Sequence, residues 1–95
     1  MAAYLIGDIE VTNPALYDEY RKGVPATIAQ YGGRFAVRGG ATTQLEGSNL
    51  PKRCVVLEFP SMADLKAWYA SPEYAPLLDM RTRATRSHIF MVEGV

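Results

Sequence analysis

Residues 31–40, Tyr-Gly-Gly-Arg-Phe-Ala-Val-Arg-Gly-Gly, constrain the fold of this chain more than any other stretch. Paired glycines bracket a short segment in which arginine and apolar side chains alternate. A period of two is the pattern of a strand, and glycine pairs end the elements that meet them. The alternation puts Phe35 and Val37 on one face and Arg34, Ala36 and Arg38 on the other. Gly32-Gly33 reads as a left-handed C-cap for whatever precedes it, and Gly39-Gly40 as the strand exit.

What precedes it is a helix. Asn13-Pro14 supplies an N-cap and a first-turn proline, and Tyr17, Tyr20, Val24, Ile28 and Tyr31 follow at spacings of three and four. Pro25 interrupts this stripe: it leaves the carbonyl of Arg21 without a helical partner and predicts a kink or split. Before the helix, residues 3–11 read as a strand, with Leu5, Gly7, Ile9 and Val11 on one face and Tyr4, Ile6, Asp8 and Glu10 on the other.

Downstream, residues 41–51 are turn-rich and polar and read as a long hairpin connection. Residues 53–59 are the most apolar strand, stopped by Pro60. Ser61 caps a second helix with a buried stripe of Met62, Leu65, Trp68 and Tyr69. Ser71-Pro72 repeats the cap-plus-proline signature, so this helix breaks and restarts with Leu77, Leu78 and Ala84. His88 to Glu93 form the last strand. The order is β-α-β-β-α-β, the α+β ferredoxin-like plan of a four-stranded antiparallel sheet with its helices on one face. That plan leaves one sheet face bare although several strands are apolar at both parities. Two such sheets packed face to face, a dimeric α/β barrel, would cover it, so a homodimer through the sheet face is expected.

Size and composition narrow the function. Ninety-five residues form a single domain, residues 1–95, with a thin core, yet 48% of the chain is hydrophobic. Ten basic residues balance ten acidic ones, which gives no electrostatic footprint for nucleic acid or an anionic membrane. Cys54 alone allows no intrachain disulfide and reads as a buried thiol. No signal peptide and no apolar run of about 20 residues is visible, so a soluble cytoplasmic protein is expected. No metal-ligand spacing, phosphate loop or nucleophile motif is present, and neither metal nor cofactor is expected.

Six motifs stand in one order: Tyr-Gly-Gly-Arg-Phe at 31–35, Val-Arg-Gly-Gly at 37–40, Glu-Gly at 46–47, Val-Val-Leu-Glu-Phe-Pro-Ser at 55–61, Trp-Tyr-Ala-Ser-Pro-Glu-Tyr at 68–74 and Val-Glu-Gly near the end. Together they resemble the bacterial domain-of-unknown-function 1330 family across nearly the whole chain. The resemblance implies the dimeric α/β barrel superfamily, which includes cofactor-independent monooxygenases, muconolactone-isomerase-like proteins and haem-degrading enzymes. It implies no activity for this branch, because a shared fold does not transfer chemistry.

Several residues are candidates for chemistry. Arg38, in a strand of a thin domain, must be paired or face a cavity; it is either a clamp for a carboxylate or enolate or the partner of Glu58 or Asp8. Glu58, inside an apolar strand, is a general acid or base if unpaired and structural if paired, and Asp8 raises the same choice. His88, the single histidine, suits proton transfer or, less readily, haem ligation. Arg38, Glu58 and His88 are the catalytic candidates. Tyr17, Tyr20, Trp68, Tyr69 and Tyr74, with Arg38, are the ligand-binding candidates: they either flank a groove for a small organic ligand or are core and dimer contacts. Arg81, Arg83 and Arg86 form a basic run that is read as a solvated face near a helix end, with an anion site as the alternative. Three functions compete: a cofactor-independent enzyme acting on a small acidic or aromatic compound, a non-catalytic metabolite-binding or stress-associated dimer, and a haem-handling protein.

Overall fold

The glycine-bracketed strand lies at a sheet edge. The computed structural model describes all of residues 1–95. Its elements run β1 (Ala3–Val11), α1 (Pro14–Gln30), β2 (Arg34–Arg38), β3 (Cys54–Phe59), α2 (Met62–Tyr69), α3 (Ala75–Ala84) and β4 (Thr85–Glu93). The sheet order is β2-β3-β1-β4, and every neighbouring pair is antiparallel. This is the ferredoxin-like α+β fold.

Local chemistry accounts for the ends of the elements. The Asn13 side chain accepts the Leu16 amide, with Pro14 opening α1, and Ser61 accepts the Asp64 amide to open α2. At the end of α1 the amides of Gly33 and Gly32 donate to the carbonyls of Ile28 and Ala29, a Schellman closure that needs the left-handed Gly32, φ 81°. Gly33 is required for a different reason. A Cβ there would stand 2.5 Å from the Phe59 ring, and Phe59 is fully buried. Gly33→Ala is therefore expected to cost about 1–3 kcal/mol by overpacking, read as a fall in thermal midpoint of roughly 5–20 °C. An unchanged midpoint in a circular-dichroism melt would show that the ring can yield.

The break in the second helical segment occurs, but α3 starts at Ala75, later than the Ser71-Pro72 signature suggests. Ser71 instead folds inward, where its hydroxyl donates to the Trp68 carbonyl and accepts the Tyr74 amide. β4 is also longer than expected from sequence: Thr85 to Ser87 pair with Val11 to Ile9. Arg86 is consequently a strand residue, not part of the helix end.

One helix-facing layer holds the core. Leu5 and Ile9 of β1 and Val55, Leu57 and Phe59 of β3 meet Tyr20, Val24 and Ile28 of α1 and Leu65 and Trp68 of α2. No helix covers the other face. Register places Val37, Val56, Ile6 and Phe90 in one row across all four strands there. Phe90 is 49% exposed and Val92 41% exposed. No helix is long and apolar enough to cross a membrane.

The alternation read for β2 does not hold to its end. Arg34 opposes Glu58 and Phe35 opposes Leu57, but Val37 opposes Val56 and Arg38 opposes Val55, so Ala36 is a bulge. One extra residue reverses the faces that follow it. Val37 moves to the bare face and Arg38 to the helix side, the reverse of what strict alternation gives.

Candidate functional site in an arginine and tyrosine pocket

The bulge decides the Arg38 question. Arg38 cannot meet Glu58, which lies on the bare face, salt-bridged to Arg34 and accepting a 3.4 Å hydrogen bond from the Tyr4 hydroxyl. Arg34, itself exposed, is thus the partner of Glu58. Arg38 lies over the Phe35 ring at 4.4 Å and donates at 3.2 Å to the carbonyl of Arg21. That is the carbonyl Pro25 deprives of its helical donor. α1 runs through Pro25 unbroken, and the orphaned acceptor is satisfied from β2, which fixes the guanidinium at the rim of a pocket.

The pocket lies between the helices and the sheet, and every strand and helix contributes to its wall. Tyr17, Tyr20, Trp68, Tyr69, Tyr74 and Arg38, all ligand candidates from sequence, line it together. Its polar groups are unusual in kind. Four arginines, Arg21, Arg38, Arg53 and Arg81, reach the wall, and no aspartate, glutamate or histidine does. Of the four, only Arg21 has a carboxylate within salt-bridge distance, Asp18 at 3.9 Å and exposed. The chain as a whole is neutral, so the pocket concentrates positive charge locally.

A line of contacts runs from rim to interior. The Nε of half-buried Arg53 donates to the Tyr17 hydroxyl at 3.1 Å. Tyr17 stacks on Tyr20 with centroids 5.6 Å apart, and the Tyr20 and Tyr74 hydroxyls share a 2.9 Å hydrogen bond. Tyr74 accepts from Arg81 Nε at 3.3 Å, and Arg81 Nη2 donates to Tyr69 at 3.1 Å. Trp68 lies 4.1 Å from the Tyr74 ring and donates its indole N–H to Thr27 at 3.0 Å. The space these side chains leave is about 30 Å³, room for a water or two. At the rim Arg38 is exposed and Arg53 half-buried, each held by a side-chain hydrogen bond to α1.

Arg81 corrects the reading of the basic run as a solvated face. Only Arg83, paired with Asp79 at 3.0 Å, and Arg86 are exposed; Arg81 is 6% exposed. The last turn of α3 is tied down by Thr85 Oγ1 donating to the Arg81 carbonyl and by the Thr12 and Asn13 amides donating to the Ala84 carbonyl. Leu77, Arg81 and Ala84 share a helix face. That spacing of four and three is a signal in the sequence, masked by the ordinary exposure of arginine. Arg53 was not a sequence candidate, although a period of two puts it on the face of Val55, Leu57 and Phe59. His88 is exposed beside Asp8 on the bare face, so neither it nor Glu58 shares the pocket with Arg38. No three His, Cys, Asp or Glu side chains come together as a metal site.

Burial, reinforced by the neighbouring Tyr74, pushes the Tyr20 phenol far above its ordinary value, and burial also raises Tyr74. Burial disfavours the Arg81 charge, but the oxygens of Tyr74, Tyr20 and Tyr69 more than offset this, and its value rises. Tyr20, Tyr74 and Arg81 are thus donors held protonated. A pH consequence follows. Above pH about 10 the unfolded chain ionises these tyrosines while the folded chain keeps their protons. The unfolded state then binds fewer protons, so stability present below pH 10 is lost as pH rises, by up to about 1.4 kcal/mol per pH unit for each tyrosine. Urea midpoints measured from pH 9 to 11 should fall steadily, and less steeply in Tyr20→Phe; identical slopes would overturn this account.

Fold and pocket together define a ferredoxin-like chain with a cavity between its helices and sheet. It belongs to the family described as domain of unknown function DUF1330, which matches residues 2–95. Solved structures share the fold. A protein of unknown function from Rhodopseudomonas palustris is 15% identical with a TM-score of 0.81, over 99% of this chain and 82% of its own. A dimeric ferredoxin-like protein of unknown function from Jannaschia sp. CCS1 is 15% identical with a TM-score of 0.72, over 99% and 100%. SnoaB, a cofactor-independent oxygenase from Streptomyces nogalater, is 14% identical with a TM-score of 0.67, over 99% and 93%. No curated protein matches the sequence.

Proposed function

We propose that this protein binds a small organic anion in the helix–sheet pocket, with an aromatic or apolar body against Tyr17, Tyr20, Trp68, Tyr69 and Tyr74 and Arg38 at its rim. The observation that carries this reading is the pocket's charge: four arginines and no acidic side chain line an otherwise largely apolar wall. Unpaired guanidinium groups next to low-dielectric walls favour an anion and give no affinity for a cation.

Binding is favoured over proton-transfer catalysis because the wall holds no carboxylate or imidazole that could act as a base. The SnoaB likeness supports the fold and leaves room for chemistry the ligand itself performs. The protein works as a homodimer through its bare sheet face, supported by the apolar row and by the dimeric Jannaschia relative.

A thermal-shift screen of small carboxylic acids against amines of matched size tests the binding. An acid at ten times its Kd stabilises by about 1.4 kcal/mol, a rise of roughly 6–11 °C. Arg38→Met combined with Arg53→Met should reduce that rise. Amines that stabilise as well as the acids would refute the reading.

A further inference from the structure

The innermost part of the pocket has more hydrogen-bond donors than acceptors. Arg81 carries five N–H groups, of which the structure engages one on Nε and one on Nη2. Nη1 has no protein partner, yet it is not sealed off, since no buried side-chain nitrogen or oxygen lacks one. The phenols add to the excess. Tyr69 and Tyr74 spend their oxygens accepting from Arg81, and the Tyr20–Tyr74 bond uses a single O–H. That leaves the proton of Tyr69 and one from the Tyr20–Tyr74 pair without an acceptor. No acidic side chain is near: none lines the pocket, and Arg81 makes no salt bridge. A guanidinium this buried ordinarily has a carboxylate beside it.

We propose that Arg81, with the hydroxyls of Tyr69 and Tyr74, is a carboxylate-binding subsite at the buried end of the pocket. This deepens the organic-anion reading and rests on it. A carboxylate is planar and offers about four lone-pair positions, enough for Nη1 and the two idle phenol protons. Phosphate fits less well. Its higher charge is costlier to desolvate among Trp68 and the tyrosines. The ligand enters acid first, its body lies along Tyr20 and Trp68, and the rim arginines close over the far end.

Trp68 is the single tryptophan and lies beside Tyr74, so its fluorescence reports occupancy directly. Benzoate, phenylacetate and 3-phenylpropionate are titrated, each against its own amide. At least one acid is expected to bind about 30-fold or more tightly than its amide. Tyr69→Phe should weaken that acid about 5- to 10-fold and narrow its advantage over the amide. Arg81→Lys should do so more strongly, because an ammonium lacks the planar fork. Tyr69 is only half-buried, so its phenylalanine variant keeps the test valid if Arg81→Lys does not fold. Equal losses for acid and amide would mark a structural role and overturn the subsite. Losses confined to Arg38→Met and Arg53→Met would put the anion at the rim, overturning the subsite while anion binding stands. If none of the acids binds, both readings fall together.

Discussion

Trp68→Ala is expected to cost about 3–5 kcal/mol. Trp68 is 1% exposed and packs against Phe59 at 5.5 Å and Tyr74 at 4.1 Å between ring centroids. Its N–H is also the donor that ties α2 to Thr27 of α1. Alanine leaves a cavity where strand, helix and pocket wall meet. A domain of this size has only about 5–15 kcal/mol of stability in total. The urea midpoint, followed by far-ultraviolet circular dichroism, should therefore fall by about 2 M or more. A loss under about 1 kcal/mol would mean that the aromatic cluster is not part of the core. Trp68→Phe, which keeps most of the volume, should lose much less.

The second large effect concerns the bare face. Ile6 and Phe90 are cross-strand partners in the middle of the apolar row, with Val56 and Val37 beyond them. In a two-fold dimer each substitution appears twice, so Ile6→Glu with Phe90→Glu introduces four carboxylates into the interface. Burying unpaired carboxylates costs several kcal/mol, enough to raise the dimer Kd by about a thousandfold or more. Light scattering on a sizing column should then change from twice the chain mass to the 10.5 kDa of one chain, with the circular-dichroism spectrum retained. A wild type that is already monomeric, or a double variant that remains dimeric, would remove the sheet face as the interface. The helix-side pocket lies across the sheet from these positions, so this variant also asks whether ligand binding depends on assembly.

How far the site was legible depends on the residue. Tyr17, Tyr20, Trp68 and Tyr69 could be placed toward a common groove because helical periodicity fixes which face a side chain takes; Tyr74 lies between α2 and α3 and was placed by the fold. Pro25 announced an orphaned carbonyl at Arg21, since proline has no N–H to give; nothing local named Arg38 as the group that would satisfy it. Arg81 has the spacing of a buried position, but an arginine reads as solvent-facing unless its partners are known. Those partners, Tyr69 and Tyr74, reach it across the break between α2 and α3. Arg53 has the parity of Val55, Leu57 and Phe59, but parity alone does not separate a pocket arginine from a solvated strand end, and it became a pocket residue when the sheet closed beneath Tyr17.

The sequence by itself determined the order of elements, the Schellman closure at Gly32-Gly33, the caps at Asn13 and Ser61, the broken second helix and the surplus of apolar residues for one covered sheet face. These rest on interactions within a few residues of one another, and local chemistry decides them. Tertiary structure alone decided which residues share the pocket. The bulge at Ala36 exists because β2 pairs with β3 out of simple alternation, and that one extra residue carries Arg38 away from Glu58 and onto the pocket side. Arg38, Arg53 and Arg81 are far apart along the chain. They become one positive pocket because the sheet and helices bring them together and leave every acidic side chain outside.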